Sequence, residues 1–314
     1  MSALKSTSAR PATGWVMIVV MVAASAAGCV KDRTGEAPAP GIVTSFNALR
    51  LIVQPLAGDI PVSSLLPEGV SPHAYAPRPS ETVRLHRASL VVHAHPVIDG
   101  WIAEMTSAAH VAMFEEVWEV PSGHGPESHP DDVHTDGDPH FWTDPVAVSR
   151  TLPALADGMC AVFPEDCAPI RRRAAVFAGS LRAAQDSLAG IASTWQALHP
   201  DACFITAQPF VDHFLERFGF SFVGPISPSP DVEASPTSLS RLLSGASDRG
   251  CNTLIVQDAL ENRMEKRLAA ERGWALVSVD PLGSSASSYT AYLGRLMSAL
   301  TEAPAAAGAA STSP

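Results

Sequence analysis

Residues 165–198 read EDCAPIRRRAAVFAGSLRAAQDSLAGIASTWQAL, and within them Ile170, Ala174, Phe177, Leu181, Ala184, Leu188, Ile191 and Trp195 recur at spacings of three and four. Apolar residues at that spacing form one face of an α-helix. Pro164 precedes the stretch, Glu165 and Asp166 put negative charge where a helix N-terminus favours it, and Pro200 stops it. The expectation is one helix over 165–198. It is several turns longer than the usual helix of a globular domain, which suits a rigid connector.

On either side of that helix the pattern changes to short apolar runs, each followed by a helical pattern. The runs are Ile42–Phe46, Leu90–His93, Cys203–Thr206, Phe220–Val223, Thr253–Val256 and Leu276–Val279. Alternation of this kind predicts α/β units with mainly parallel strands, and a continuous run such as Leu254-Ile-Val256 fits a strand covered on both faces. Two α/β domains are expected, at 42–164 and 199–301, joined by the long helix. From residue 302 the Ala, Ser, Thr and Pro tail carries no packing pattern and reads as disordered.

The chain opens with Lys5 and Arg10, continues through the apolar run Trp15–Ala24 and reaches Ser25-Ala-Ala-Gly-Cys29. A run of about ten apolar residues is short for a membrane span, which needs roughly 20, and the small residues after it suit cleavage. Residues 1–28 therefore read as an export signal. The Ala-Ala-Gly-Cys29 boundary resembles a lipobox, with Cys29 as the lipidated first residue, and 29–41 as a tether holding the protein to a membrane facing the periplasm or the cell exterior. Loss of the two basic groups moves the formal charge from −11 to −13. So acidic a protein disfavours nucleic acid as a partner and attracts cations.

Cys160, Cys167, Cys203 and Cys251 remain, an even number in an oxidising setting. Four cysteines allow three pairings, and none has the C-x-x-C spacing of a zinc ribbon or redox motif. Cys203 and Cys251 each open an apolar strand, so a bridge between neighbouring parallel strands is expected, leaving Cys160 to pair with Cys167.

Two Pro-His pairs stand in loop contexts: Ser71-Pro-His73 and Asp138-Pro-His140-Phe-Trp-Thr-Asp144-Pro145. Between them, residues 121–138 hold His124, His129 and His134, five carboxylates and no lysine or arginine. Imidazoles bind zinc and carboxylates lower the energy of a cation nearby, so that loop reads as an auxiliary, weak metal scavenger; its bland alternative is a solvated loop. Asp280 ends the run Trp274-Ala-Leu-Val-Ser-Val-Asp280-Pro-Leu-Gly283, and in parallel sheets ligand sites collect at the carboxyl ends of strands. Asp138 and Asp144 read as residues that orient the loop or an imidazole. Gln257 and Asp258 follow a strand, where they line the crevice or cap the next helix, capping being the expected role.

These pieces, together with Phe46-Asn-Ala-Leu-Arg-Leu51 and Ala57-Gly-Asp59, resemble the zinc and manganese receptors of bacterial ABC importers, in the family's order, from about Gly41 to Leu300. The resemblance implies two α/β domains joined by a backbone helix with the metal in the cleft between them. It implies His73, His140 and Asp280 as ligands, zinc or manganese as the transported ion, an importer permease and its ATPase as partners, and a monomer. The remaining ligand is His or Glu in the family. Counting back from Phe214 and Gly219 in Phe204-Ile-Thr-Ala-Gln208-Pro-Phe-Val-Asp-His213-Phe214 places Gln208 at that position. His93 or His95, at the end of the strand at Leu90, could supply the missing imidazole instead, or water could fill the position; His213, five residues on from Gln208, would point away from it.

A zinc hydrolase is the alternative, since two His and one Asp leave an open coordination position. The chain has no H-E-x-x-H, no G-x-S-x-G and no glutamate beside either Pro-His to act as a base, so no enzymatic activity is expected. A metal-holding surface adhesin or storage lipoprotein is the other alternative. Imidazoles and the order of affinities for the same nitrogen and oxygen donors favour zinc over manganese.

Overall fold

Leu90-Val-Val-His93 is buried at all of its positions, as a strand covered by helices on both faces must be. It is the third strand of the first of two sheets. The computed structural model describes residues 41–73, 75–113, 138–229, 232, 234–258 and 263–302. The expected export signal, Cys29 and its tether, the histidines at 124, 129 and 134, and the tail beyond 302 lie outside the described residues.

In the first lobe β1 (Ile42–Thr44) leads to α1 (Asn47–Ala57), β2 (Val62–Ser64), α2 (Pro79–Arg87), β3 (Leu90–His93), the single turns α3 (Pro96–Asp99) and α4 (Trp101–Glu104), and β4 (Ala109–Ala112). A 3-10 turn at Phe141–Thr143 then enters α5 (Pro145–Val162), and α6 (Cys167–Leu198) follows. The second lobe runs β5 (Phe204–Thr206), α7 (Asp212–Arg217), β6 (Phe222–Pro225), α8 (Pro236–Asp248), β7 (Thr253–Gln257), α9 (Arg263–Arg272), β8 (Ala275–Val279) and α10 (Tyr289–Thr301). The sheets have four strands each, in the orders β2-β1-β3-β4 and β6-β5-β7-β8. All their ladders are parallel. The fold is therefore α/β with two parallel sheets and one long helix between them.

The strands β2 and β4 carry no apolar run and were not expected. Both are sheet edges, and Val62–Ser64 and Ala109–Ala112 are only half-buried or exposed, so the apolar signal of a buried strand is missing from them. The run Phe220–Val223 is also displaced: β6 begins at Phe222, while Phe220 leaves the ladder and packs edge-on against Phe204 and Trp195. β8 alternates between exposed and buried positions, as one open face at the sheet edge requires.

The helix α6 buries Ile170, Ala174, Phe177, Leu181, Leu188 and Ala192. The expected stripe holds as far as Leu188, with Ala184 only half-buried; beyond it Ala192 turns inward and Ile191 is exposed, because a step of four follows Leu188. That stripe packs on α5, α1 and α10, so one helix touches elements from both ends of the chain. Both sheets and α6 belong to one compact unit that begins at Ala39. Disulfides join Cys160 to Cys167, between the end of α5 and the start of α6, and Cys203 to Cys251, at the starts of the neighbouring strands β5 and β7, with Cα separations of 4.5 and 4.4 Å. Among the described residues no helix is long and apolar enough to cross a membrane.

Candidate metal centre

The loop carrying His73 is fixed from both sides. Trp101 of α4 donates its indole N–H to the carbonyl of Pro72 at 3.2 Å, and Tyr75 packs on the same indole while its hydroxyl donates to Glu81 at 2.6 Å. Glu81 in turn accepts from the backbone N–H of Arg78 at 2.7 Å and so caps α2. The loop carrying His140 is fixed by Asp138 and Asp144. Asp144 caps α5 by accepting from Val146 N–H at 2.8 Å, with Pro145 at the first helical position.

Asp138 Oδ1 lies 2.6 Å from His140 Nδ1 and also accepts the backbone N–H of His140 at 3.0 Å. The carboxylate accepts a hydrogen bond from Nδ1–H, which keeps the proton there and leaves the lone pair of the ring on Nε2. That Nε2 lies 3.4 Å from Nε2 of His73. The separation is long for an N–H···N hydrogen bond, whose heavy atoms usually sit about 2.9–3.0 Å apart. It matches two ligands of one tetrahedral zinc, since bonds of about 2.05 Å at the tetrahedral angle hold two nitrogens about 3.3–3.4 Å apart.

The cleft into which both rings face is lined by Ser71, Pro72, His73, His140, Trp142, Gln208, Phe210, Gln257, Pro281 and Leu282. Its volume is ≈ 20 Å³. A single water needs about 10–15 Å³ on the same measure, so the space suits an ion or a water rather than an organic substrate. His140, Gln208 and Gln257 are 6%, 7% and 6% exposed. Trp142 closes one wall: its ring stands edge-on to His140, and its N–H donates to the carbonyl of Pro281 at 2.8 Å. Tyr292 of α10 donates to that same carbonyl, and Tyr289 to the carbonyl of Trp142. Burial pushes both tyrosine hydroxyls well above their usual pKa and keeps them as donors.

Of the expected ligands, the structure brings His73, His140 and Gln208 to one cleft. The Asp280 carboxylate is not in its lining, although Pro281 and Leu282 beside it are. Asp280 accepts the backbone N–H groups of Leu282 and Ser284 and so holds the turn after β8. Among the described residues no three His, Cys, Asp or Glu side chains group as a metal site. Neither His93 nor His95 lines the cleft. His93 is 3% exposed, with its Nδ1 3.8 Å from the Asp99 carboxylate and its ring beside that of His110. His95 caps α3, accepting the N–H of Val97 on Nδ1.

Other site residues escape a reading of the sequence. His213 turns from the second lobe to the first, donating Nε2–H to the carbonyl of Asp138 at 2.8 Å, with the Asp138 carboxylate 3.5 Å away. Burial works against charge on His213, but the Asp138 carboxylate, the bond to the Asp138 carbonyl and the Glu216 and Asp144 carboxylates together raise its pKa. Burial likewise opposes charge on Asp138, and His213 and His140 overcome it, so its pKa is lowered. Arg217 reaches across to Asp144 through two bonds of 2.8 and 2.7 Å. Gln257, for which a helix cap was expected over a place in the crevice, lines the cleft.

The model for the periplasmic component A of zinc-uptake complexes matches residues 42–303. The chain belongs to that family. Zinc-uptake component A is a transport component and not a hydrolase by its description, which agrees with the small cleft. Among curated relatives, the zinc-binding lipoprotein AdcA of Streptococcus pneumoniae is 22% identical over 259 residues, covering 77% of this chain and 50% of AdcA. The chain thus spans about half the length of that relative. The high-affinity zinc uptake system protein ZnuA of Yersinia pestis is 22% identical over 284 residues, covering 81% of this chain and 88% of its own length. A crystal structure of ZnuA superposes with a TM-score of 0.68 at 20% identity, covering 84% of this chain and 99% of that one, so the two share a fold.

Proposed function

We propose that this member of the zinc-uptake family is an extracytoplasmic receptor that captures zinc in the cleft and delivers it to the permease and ATPase of an ABC importer. The observation that carries the reading is the 3.4 Å separation of two ring nitrogens, one of them with its proton fixed on the far side of the ring. His73 and His140 hold the ion and Gln208 approaches it from the second lobe. Imidazole donors place zinc ahead of manganese. The names of the relatives AdcA and ZnuA, a zinc-binding lipoprotein and a zinc uptake protein, point the same way.

Titration of zinc into chelated full-length protein tests the reading. One tight equivalent is expected, with His73→Ala and His140→Ala each weakening it strongly. Zinc at 100 to 1,000 times its dissociation constant should stabilise the fold by about 3–4 kcal/mol. A melting temperature indifferent to zinc would end the proposal. Anchoring is a separate part of it: the Ala-Ala-Gly-Cys29 boundary supports a lipid on Cys29. Mass spectrometry of the membrane-extracted N-terminus checks this, and an unmodified residue there would refute it.

A further inference from the structure

The second lobe offers its residues to the cleft from a particular place in its sheet. After β5 the chain crosses to β6 on one side and later to β7 on the other, so β5 and β7 flank the point where strand order reverses. Crevices at such points, beyond the carboxyl ends of the strands, are where parallel sheets bind ligands. Gln208 follows β5 by two residues, and Gln257 is the last residue of β7.

The ladder aligns Thr206 with Ile255, and the N–H of Ala207 continues it by donating to the carbonyl of Ile255 at 2.9 Å. Gln208 lies in the bend two residues beyond the end of β5, while Gln257 closes β7. Adjacent strands lie about 4.8 Å apart. The two side chains therefore start from neighbouring strand ends, and both line the cleft and are nearly buried.

Asp280 stands apart from them, outside the lining of the cleft. Gln257 is opposite Val279, and Asp280 follows the end of β8 at the start of the turn. Its carboxylate accepts the N–H groups of Leu282 and Ser284, and its neighbour Gly283 can hold the turn because a φ of 64° costs glycine nothing.

We infer that Gln257 is a metal-facing residue that pairs with Gln208, so that the second lobe meets the ion with two neutral amide oxygens, while Asp280 holds the turn behind them. This rests on the proposed zinc-receptor reading and deepens it. Two imidazoles and two amides carry no negative charge, so the ion keeps its full charge in the site. Carboxylate, carbonyl and water oxygens suit manganese, whereas imidazole suits zinc. Manganese depends more on its oxygen donors than zinc does, so a neutral amide in place of a carboxylate costs it more, and Gln257 becomes a determinant of metal choice.

The test titrates zinc chloride and manganese chloride separately into the chelated full chain and its variants, with the metal-free melting temperature recorded for each. Gln257→Ala should weaken zinc by roughly 10-fold or more, the scale of losses at groups that surround a metal. Asp280→Asn should cost less zinc affinity than Gln257→Ala. Gln257→Glu, close to isosteric, should tighten manganese by a larger factor than zinc, and it decides the matter should the alanine variant not fold. Zinc affinity within twofold of wild type in Gln257→Ala, or equal gains for both metals in Gln257→Glu, would overturn the inference and leave the receptor reading standing. A wild-type chain that binds no zinc would remove the reading itself.

Discussion

Asp212, at the start of α7, is 2% exposed, and neither of its carboxylate oxygens has a hydrogen-bond partner among the described residues. Burial pushes its pKa well above the usual 3.8, and the nearby Asp138 charge adds to the push. An acid with a raised folded pKa costs nothing below pH 3.8, and its cost to stability grows as pH rises from there toward the folded value. Asp212→Asn should therefore stabilise metal-free protein at neutral pH and lose its advantage in strong acid. Each kcal/mol recovered corresponds to about 2–4 °C in the melting temperature of a chain of this size. A melting curve unchanged at pH 7, or a gain that persists undiminished at pH 3, would contradict this. Gln208 supports a second expectation at the same scale. An imidazole is the better zinc donor, so Gln208→His should tighten zinc in calorimetric titration, and Gln208→Ala should weaken it. Silence in both variants would remove Gln208 from the site.

At the scale of elements, what could be read in advance depended on burial. The strands β3, β5 and β7 are buried on both faces and appear in the sequence as unbroken apolar runs. The edge strands β2 and β4 have no such run, since none of their positions is fully buried. The long helix was legible because its stripe faces α5, α1 and α10 over most of its length. Disulfides fasten this frame at two places, and they should contribute unequally. The bridge Cys203–Cys251 spans 48 residues and Cys160–Cys167 spans 7. The chain-entropy relation gives about 4 kcal/mol for the longer loop and about 2.5 kcal/mol for the shorter. Denaturant unfolding of the two paired-alanine variants compares them directly, and a greater loss from the shorter bridge would show that strain or residual structure outweighs loop entropy.

Across the whole molecule, polar contacts tie the lobes together around the cleft. Arg217 of the second lobe is held by Asp144 of the first, His213 by Asp138, and the N–H of Trp142 by the carbonyl of Pro281. Asp144 is nearly buried, so Arg217→Met leaves a carboxylate without its charge partner, and the loss of such a partner typically costs about 3–5 kcal/mol. Equilibrium unfolding should register that loss; a change below about 1 kcal/mol would mean that Asp144 is satisfied by its helix cap alone. The halves of the site were not equally legible. His73 and His140 stand in rigid Pro-His contexts that mark them in the sequence. Gln257 and His213 carry no such mark, because their placement follows from strand order and from the approach of one lobe to the other. The central claim is that one divalent ion sits between the two imidazoles. Anomalous diffraction at the zinc edge, from crystals of the zinc-loaded full chain, tests it most directly. The account predicts one dominant peak about 2.0–2.1 Å from Nε2 of both His73 and His140, and a dominant peak elsewhere, or none in the cleft, would contradict it.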